Sequence, residues 1–354
     1  MVRPAAIAWP GAPLALAAAA LFGASTPLAK LLLGDVSPWL LAGLLYLGSG
    51  IGMAAVEGVG LAMGLAPREA PLSRGDLPRL AAAVIAGGVI APVLLMLGLA
   101  ETSAAATALL LNLEGLFTLA IAWLVLRENV DRRIALGAAA ILAGAVLLSW
   151  HPADGFALGG VPAIAGACLF WAIDNNLTRG LSGADPLQIA AAKGLLAGTV
   201  NLALALLQGA AWPGAATALA AGTVGLLGYG VSLVLFVLAL RHLGAARTTA
   251  YFSTAPFIGA VLAVTLFGEP VTAPLLLAAA LMGAGLWLHL VERHEHLHEH
   301  APMTHDHRHR HDLHHRHAHS PADPPGEPHT HSHAHPRLVH GHPHYPDLHH
   351  RHEH

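Results

Sequence analysis

Apolar runs of about 20 residues follow one another from Pro10 to Val291, separated by short polar breaks. A helix rises about 1.5 Å per residue, so a run of this length matches the ~30 Å hydrocarbon core of a bilayer. Lipid cannot satisfy open backbone groups, which makes helices the expected element. The charged fraction of 11% is also well below the ~25% of an ordinary soluble domain. The sequence therefore predicts an all-α membrane protein.

We predict about ten spanning helices, and several begin at the helix-starting pairs Ser37-Pro38, Asp185-Pro186 and Glu269-Pro270. The predicted spans are about 12–33, 38–63, 78–99, 103–125, 133–150, 158–180, 186–208, 216–241, 245–267 and 271–291. They divide into two five-helix halves, 1–150 and 151–292, followed by a histidine-rich tail, 293–354.

Lys and Arg in the loops predict the orientation of the chain. If the N-terminus is cytoplasmic, the outer loops hold only Lys30, at the end of the first span. The inner side then holds Arg3, Arg68, Arg74, Arg79, Arg127, Arg132, Arg133, Arg179, Arg241, Arg247 and Arg293. This asymmetry predicts that both termini face the cytoplasm and that the protein lies in the inner or plasma membrane.

An internal repeat relates the two halves. Residues 108–130 align without gaps with residues 249–271, which places Glu128 on Glu269. Because each half has an odd number of spans, the second half must insert in the opposite orientation, as an inverted repeat. Chance similarity between Ala- and Leu-rich helices is the alternative explanation.

Several functional classes find no support in the sequence. A single cysteine, Cys168, is incompatible with an intrachain disulfide framework or a thiolate zinc site. The sequence contains no phosphate loop, nucleotide fingerprint or credible catalytic triad. We therefore expect a protein that is not an enzyme, requires no cofactor and binds no nucleic acid.

The repeated segments resemble the EamA-type transporters of the drug/metabolite transporter superfamily. The copies are TSAAATALLLNLEGLFTLAIAWLVLRENV (102–130) and GAARTTAYFSTAPFIGAVLAVTLFGEPV (244–271). That family has T-S-A, apolar residues, L-E-P, an apolar helix and a terminal G-E, whereas this chain has Gly115 in place of Pro and Arg127 in place of Gly. The resemblance covers about residues 10–291. It implies ten helices in two inverted halves around a central cavity, and secondary transport, often export, of amino acids or other small metabolites.

Glu114 is the clearest candidate for function inside the membrane. It lies about eleven residues from either end of the fourth predicted span, and an ionisable group at that depth costs several kcal/mol. A carboxylate there suits a proton-coupling site or a partner for a substrate ammonium group. The alternative is a protonated glutamate that holds helices together. Asn112 lies two positions earlier and points about 200° away, so at most one of the two faces a cavity squarely.

Asp174 and Lys193 form a second candidate group. They lie at similar depth on the sixth and seventh predicted spans, where an ion pair would cancel two costly charges. We favour a structural pair, and the alternative is a role in substrate polarity or gating.

Trp171, Tyr229, Tyr251 and Ser253 could supply hydrogen bonds and an aromatic wall to the same cavity. Ordinary packing is the alternative for each of them. Pro92 and Pro256 interrupt the third and ninth predicted spans and free backbone carbonyls, and such breaks occur along transport paths.

The tail contains all but three of the 26 histidines, mostly as His-x-His. Imidazole suits Zn²⁺, Ni²⁺, Co²⁺ and Cu²⁺, whereas the interleaved Pro and charged residues argue against a packed core and predict a disordered segment. The predicted metal ligands are His294, His296, His298, His300, His305, His307, His309, His311, His329, His331, His333 and His335.

We therefore expect a secondary transporter that exports small metabolites by alternating access. One alternative is a transition-metal (Ni, Co or Zn) transporter whose tail collects the ion, and another is a membrane-anchored metal-buffering protein. The expected partners are a small-molecule substrate, the lipid bilayer and a divalent metal at the tail, and a homodimer is left open.

Overall fold

The computed structural model describes residues 11–64, 71–125, 132–151, 155–156, 159–179, 181, 184–243, 248, 251–290, 295–300, 303–309, 329–335 and 338–343. The helices are α1 (Gly11–Leu32), α2 (Pro38–Ala62), α3 (Arg74–Asp76, Leu77–Ala83, Val84–Ile90 and Ala91–Glu101 in succession), α4 (Ala104–Leu110 and Leu113–Leu124), α5 (Arg132–Ser149), α6 (Val161–Arg179), α7 (Pro186–Leu207), α8 (Ala215–Gly225, Leu226–Val231 and Ser232–Leu243), α9 (Ala255–Phe267) and α10 (Ala273–Leu290). A short antiparallel hairpin of β1 (Trp150–His151) and β2 (Gly155–Phe156) lies between α5 and α6.

Side-chain caps explain where several helices begin. The Ser37 hydroxyl accepts a hydrogen bond from the Leu40 amide at 3.4 Å, and the Asp185 carboxylate accepts one from the Leu187 amide at 2.8 Å. A proline follows each cap, at the first helical position, where its missing N–H costs nothing. The helix starts predicted at Ser37-Pro38 and Asp185-Pro186 are therefore confirmed. The one predicted at Glu269-Pro270 is wrong, because α10 begins at Ala273 after Thr272, whose hydroxyl accepts from the Leu275 amide.

Seven of the described helices are long and apolar enough to cross a membrane. They are Gly11–Leu32, Pro38–Ala62, Arg74–Glu101, Ala104–Ile121, Arg132–Ser149, Pro186–Leu207 and Ala215–Ala239. Helices α9 and α10 are shorter and apolar, and α6 carries several polar residues towards its end. The membrane body is thus helical and polytopic, while the number of ten spans stays a prediction.

The third helix of each half contains a π-helical segment. These segments are Val84–Ile90 in α3 and Leu226–Val231 in α8. The alignment that carries residues 108–130 onto 249–271 also carries 84–90 onto 225–231. An irregularity that is rare in proteins therefore occurs at the same place in both copies, which supports a repeat over chance similarity.

The fourth helix of each half is also broken at equivalent positions. In α4 the helix ends at Leu110 and begins again at Leu113. In the second half, residues 251–252 are helical, residues 253–254 form a turn, and α9 begins at Ala255. The alignment places Asn112 on Ser253, so the two breaks occupy equivalent positions in the two halves.

Helices that correspond in the two halves pack against each other through glycines. A Cβ on Gly50 of α2 would lie 2.3 Å from the Leu195 nitrogen of α7, and one on Gly194 would lie 2.4 Å from the Gly50 nitrogen. Likewise, a Cβ on Gly285 of α10 would lie 2.5 Å from the Gly137 carbonyl of α5. Small residues at these positions allow the close backbone approach that stabilises helix pairs in lipid.

Four strands are described in the tail. They are β3 (Glu295–His300), β4 (Met303–His309), β5 (His329–His335) and β6 (Leu338–Pro343), with β3 paired to β6 and β4 to β5 in antiparallel fashion. This pairing differs from the disordered tail that we predicted, because the His-x-His alternation has the two-residue period of a strand and backbone pairing needs no packed core. The predicted ligands His294 and His311 lie outside the described residues.

Candidate functional site

The break in α4 places Glu114 in the first turn of its second segment. One carboxylate oxygen of Glu114 accepts a hydrogen bond of 2.6 Å from the side-chain amide of Asn175 on α6. Beside it, a Cβ on Gly115 would meet no atom within 4 Å. Glu114 and Asn175 therefore form a polar contact between two helices of different halves, next to open space.

Asn112 points away from this contact. Its side-chain amide donates to the Leu109 carbonyl at 2.8 Å and lies 3.9 Å from the sulfur of Met282 on α10. Asn112 is buried, with 8% of its surface exposed. The two side chains therefore point to different helices, as their spacing predicts, Asn112 towards α10 and Glu114 towards α6.

The predicted ion pair between Asp174 and Lys193 is present. The ammonium group donates to both carboxylate oxygens, at 2.7 and 2.6 Å, and the Thr178 hydroxyl donates to the same carboxylate at 2.9 Å. The Lys193 and Asp174 side chains are only 12% and 7% exposed, so the pair neutralises two groups that lipid would otherwise penalise. Asp174 directly precedes Asn175, which places the pair beside the Glu114 contact.

The π-helical segment of α3 provides hydrogen-bond acceptors to three other helices. The Gly87 carbonyl accepts from the Tyr46 hydroxyl at 2.6 Å and from the Trp171 indole at 3.0 Å. The Gly88 carbonyl accepts from the Asn201 amide at 3.0 Å. A π-helical turn frees carbonyls from the regular helical pattern, which explains why these side chains converge there. Trp171 was a predicted site residue, whereas Tyr46 and Asn201 were not.

Five rings from both halves form an aromatic cluster, which we define as Phe22, Tyr46, Trp171, Tyr229 and Phe252. Phe22 is at its centre, with ring centroids 6.2 Å from Trp171, 6.0 Å from Tyr229 and 5.4 Å from Phe252. Tyr46 lies 5.4 Å from Tyr229. The structure thus brings the predicted residues Trp171 and Tyr229 together through Phe22, which the sequence did not single out.

The other two predicted residues lie near the break before α9. Tyr251 precedes Phe252 of the aromatic cluster and is 37% exposed, and Ser253 lies in the turn itself. In the part of the chain that the structure describes, no three His, Cys, Asp or Glu side chains lie together in a way that could hold a metal ion. The predicted metal role of the tail histidines therefore rests on the sequence and the strand register.

Known proteins place these features in a family. The model of the EamA-like transporter family matches residues 9–150 and again residues 158–291. An uncharacterized transporter of Methanothermobacter thermautotrophicus is 29% identical over 264 residues, which cover 70% of this chain and 77% of that protein. One protein of known crystal structure has a similar fold, with a TM-score of 0.58 and 21% identity over 80% of this chain and 98% of the other. Both halves of the chain match the same family model, and the protein belongs to the EamA-like transporter family of multi-pass membrane transporters.

Proposed function

We propose that this protein is a secondary transporter that exports amino acids or related small metabolites by alternating access. Its path would run past the Glu114–Asn175 contact and the aromatic cluster. The observation that carries this proposal is the pair of helix breaks at equivalent positions of α4 and α9. Discontinuous helices in corresponding places of two repeats are typical of binding sites near the middle of a membrane transporter.

Chemistry at the break supports this assignment. The amides of a helix N-terminus carry partial positive charge, so the second segment of α4 can orient an anionic or polar solute group. Glu114 supplies a carboxylate whose described partner is the neutral amide of Asn175. Its proposed role is to exchange a proton or to bind an ammonium group of the substrate. Asp174 already pairs with Lys193, and its proposed role is structural.

The ten spans, the inverted arrangement and the cytoplasmic termini complete the proposal. Arg74 at the start of α3, Arg132 at the start of α5 and Arg179 at the end of α6 support cytoplasmic termini. Cytoplasmic loops are enriched in lysine and arginine. A membrane-impermeant thiol reagent should label a cysteine at Asp35 from outside intact cells and should miss one at Arg132. The reverse labelling pattern would refute this orientation.

We also propose that the tail binds divalent metal on the cytoplasmic side, as a reservoir beside the transport path. The β4–β5 register places His305 opposite His333 and His307 opposite His331. Directly opposed residues of an antiparallel pair are close enough to interact, and imidazole is a common ligand of Zn²⁺ and Ni²⁺.

Transport in proteoliposomes tests the main function. The purified chain would be reconstituted and assayed for uptake and counterflow of labelled amino acids, amines and Ni²⁺, with and without a proton gradient. Saturable transport of an organic solute, lost when Glu114 is replaced by Gln, supports the proposal. Transport of Ni²⁺ alone would instead favour the metal transporter.

A further inference from the structure

Glu269 joins the two halves of the molecule at the end of the bundle that holds Lys30, which we call the Lys30 end. Gly268 ends α9 in the left-handed region, with φ of 61°, a conformation in which glycine carries no penalty. The chain turns there, and the half-buried Glu269 side chain reaches α4. Its two oxygens accept hydrogen bonds from the Ala104 amide at 2.8 Å and the Ala105 amide at 3.0 Å.

Lys30 acts on the other side of the same junction. Its ammonium group donates to the carbonyl of Leu99 and, at 3.2 and 3.0 Å, to those of Ala100 and Thr102. A cation therefore lies at the end of α3 and an anion at the start of α4, which suits the dipole of each helix. The α3–α4 junction is thereby held by two charged side chains, one from each half.

Packing beneath this junction is tight. A Cβ on Gly23 of α1 would lie 2.3 Å from the Ala255 carbonyl of α9, and one on Gly259 would lie 3.1 Å from the Ala108 Cβ of α4. Helices α1, α4 and α9 thus leave no room between them at these positions. A Cβ on Gly115, further along α4, would instead meet no atom within 4 Å.

We propose that Glu269 is a latch that holds the Lys30 end closed and releases α4 when that end opens. The inference rests on the proposed alternating access, because a transporter of this kind must separate its halves at one end and then at the other. Charge-assisted hydrogen bonds between halves bias such an equilibrium only if they exist in one state. In this proposal those of Glu269 exist only while the Lys30 end is closed, because they cross from the second half to the first at that end.

Pulsed EPR distance measurements test the latch without any knowledge of the substrate. Spin labels would be attached to cysteines at Ala100 and Val271, which are both exposed and flank the contact, with Cys168 replaced by Ser. The latched protein should show one narrow distance distribution. In Glu269→Ala, a longer-distance population should grow by about tenfold relative to the latched state, and Glu269→Gln, which keeps one acceptor oxygen, should fall between.

A second variant addresses the contact from the α4 side. Ala104→Pro removes one donor, and proline is tolerated there because Ala104 is the first helical residue and Ser103 has ψ of 149°. It should shift the distances in the same direction. Asp35→Ala, which removes an exposed carboxylate at the same end, should leave them unchanged.

Unchanged distances in folded Glu269→Ala and Ala104→Pro would overturn the latch. A protein that shows the shift but transports none of the tested solutes would keep the latch while refuting the proposed substrates, so the two failures are distinguishable.

Discussion

Depth in the fourth predicted span identified Glu114 from the sequence, but only the structure shows what it contacts. Asn175 lies on a helix of the other half, about 60 residues away in the chain, and no sequence pattern joins them. Asn112 was chosen on the same depth argument, and its side chain turns to α10 instead. At the residue scale, the sequence predicted a polar group and the tertiary contacts decided its direction.

Replacing Glu114 by Gln should reduce transport by about tenfold or more and leave folded yield nearly unchanged, because Gln keeps the hydrogen-bonding shape but cannot ionise. The measurement is initial uptake in proteoliposomes at several pH values from about 5.5 to 8. Asn112→Ala is the matched control and should lower stability by about 1 kcal/mol with transport retained. Normal transport by Glu114→Gln over the whole range would make this residue structural.

Lys193→Met should destabilise the protein by roughly 3–5 kcal/mol, because it leaves the Asp174 carboxylate buried without its cation. The double variant Asp174→Asn, Lys193→Met should recover much of that loss. Thermal unfolding in detergent measures both. If the single variant is as stable as the parent, the pair contributes nothing to the fold and a gating role gains support.

At the scale of elements, glycines determine how closely the helices of the two halves approach each other. Nine of the ten predicted spans have bounds within about four residues of an observed helix, because apolar length and helix caps are local properties. The ninth, 245–267, ends with α9 at Phe267, but α9 begins only at Ala255. The π-helical segment of α8 and the break at residues 111–112 were not predicted, since no proline marks them in the sequence, whereas Pro92 lies just after the π-helical segment of α3 and predicted an interruption there. Such irregularities form where side chains of other helices satisfy the freed carbonyls, as at Gly87.

Gly87→Ala should disrupt the site through packing alone. An added Cβ would lie 2.0 Å from the Asp174 carboxylate, so either the ion pair or the π-helical segment must move. We expect a loss of a few kcal/mol, in the range known for overpacked cores, visible as a lower unfolding temperature. Gly115→Ala, which meets nothing within 4 Å, is the control and should be stable. Equal stability of the two variants would contradict the observed packing.

On the scale of the whole molecule, the membrane body and the described part of the tail differ in secondary structure. The helices pack on one another from α1 to α10, and the last of them ends at Leu290. The tail strands pair with each other and contain few apolar residues that could pack on the bundle.

Truncation after Arg293 should therefore leave a folded, transport-competent body and abolish high-capacity metal binding. Binding by the full chain should weaken as pH falls towards about 5.5, because imidazole binds metal only when neutral and its ordinary pKa is about 6.5. Titration of both proteins with Zn²⁺ or Ni²⁺ measures this. Loss of all transport in the folded truncated protein would make the tail part of the mechanism.

The sequence by itself determined the class of protein, most of the approximate spans and the repeat, because hydrophobic length and periodicity act locally along the chain. The depth of Glu114 in the membrane stays a prediction. Tertiary structure decided which charges meet. The sequence placed Lys30 and Glu269 at span ends, Glu269 within the repeated motif, but did not predict that they converge on one junction from opposite halves. Such contacts depend on how two repeats pack against each other, and that packing joins residues too distant in sequence for any local pattern to record.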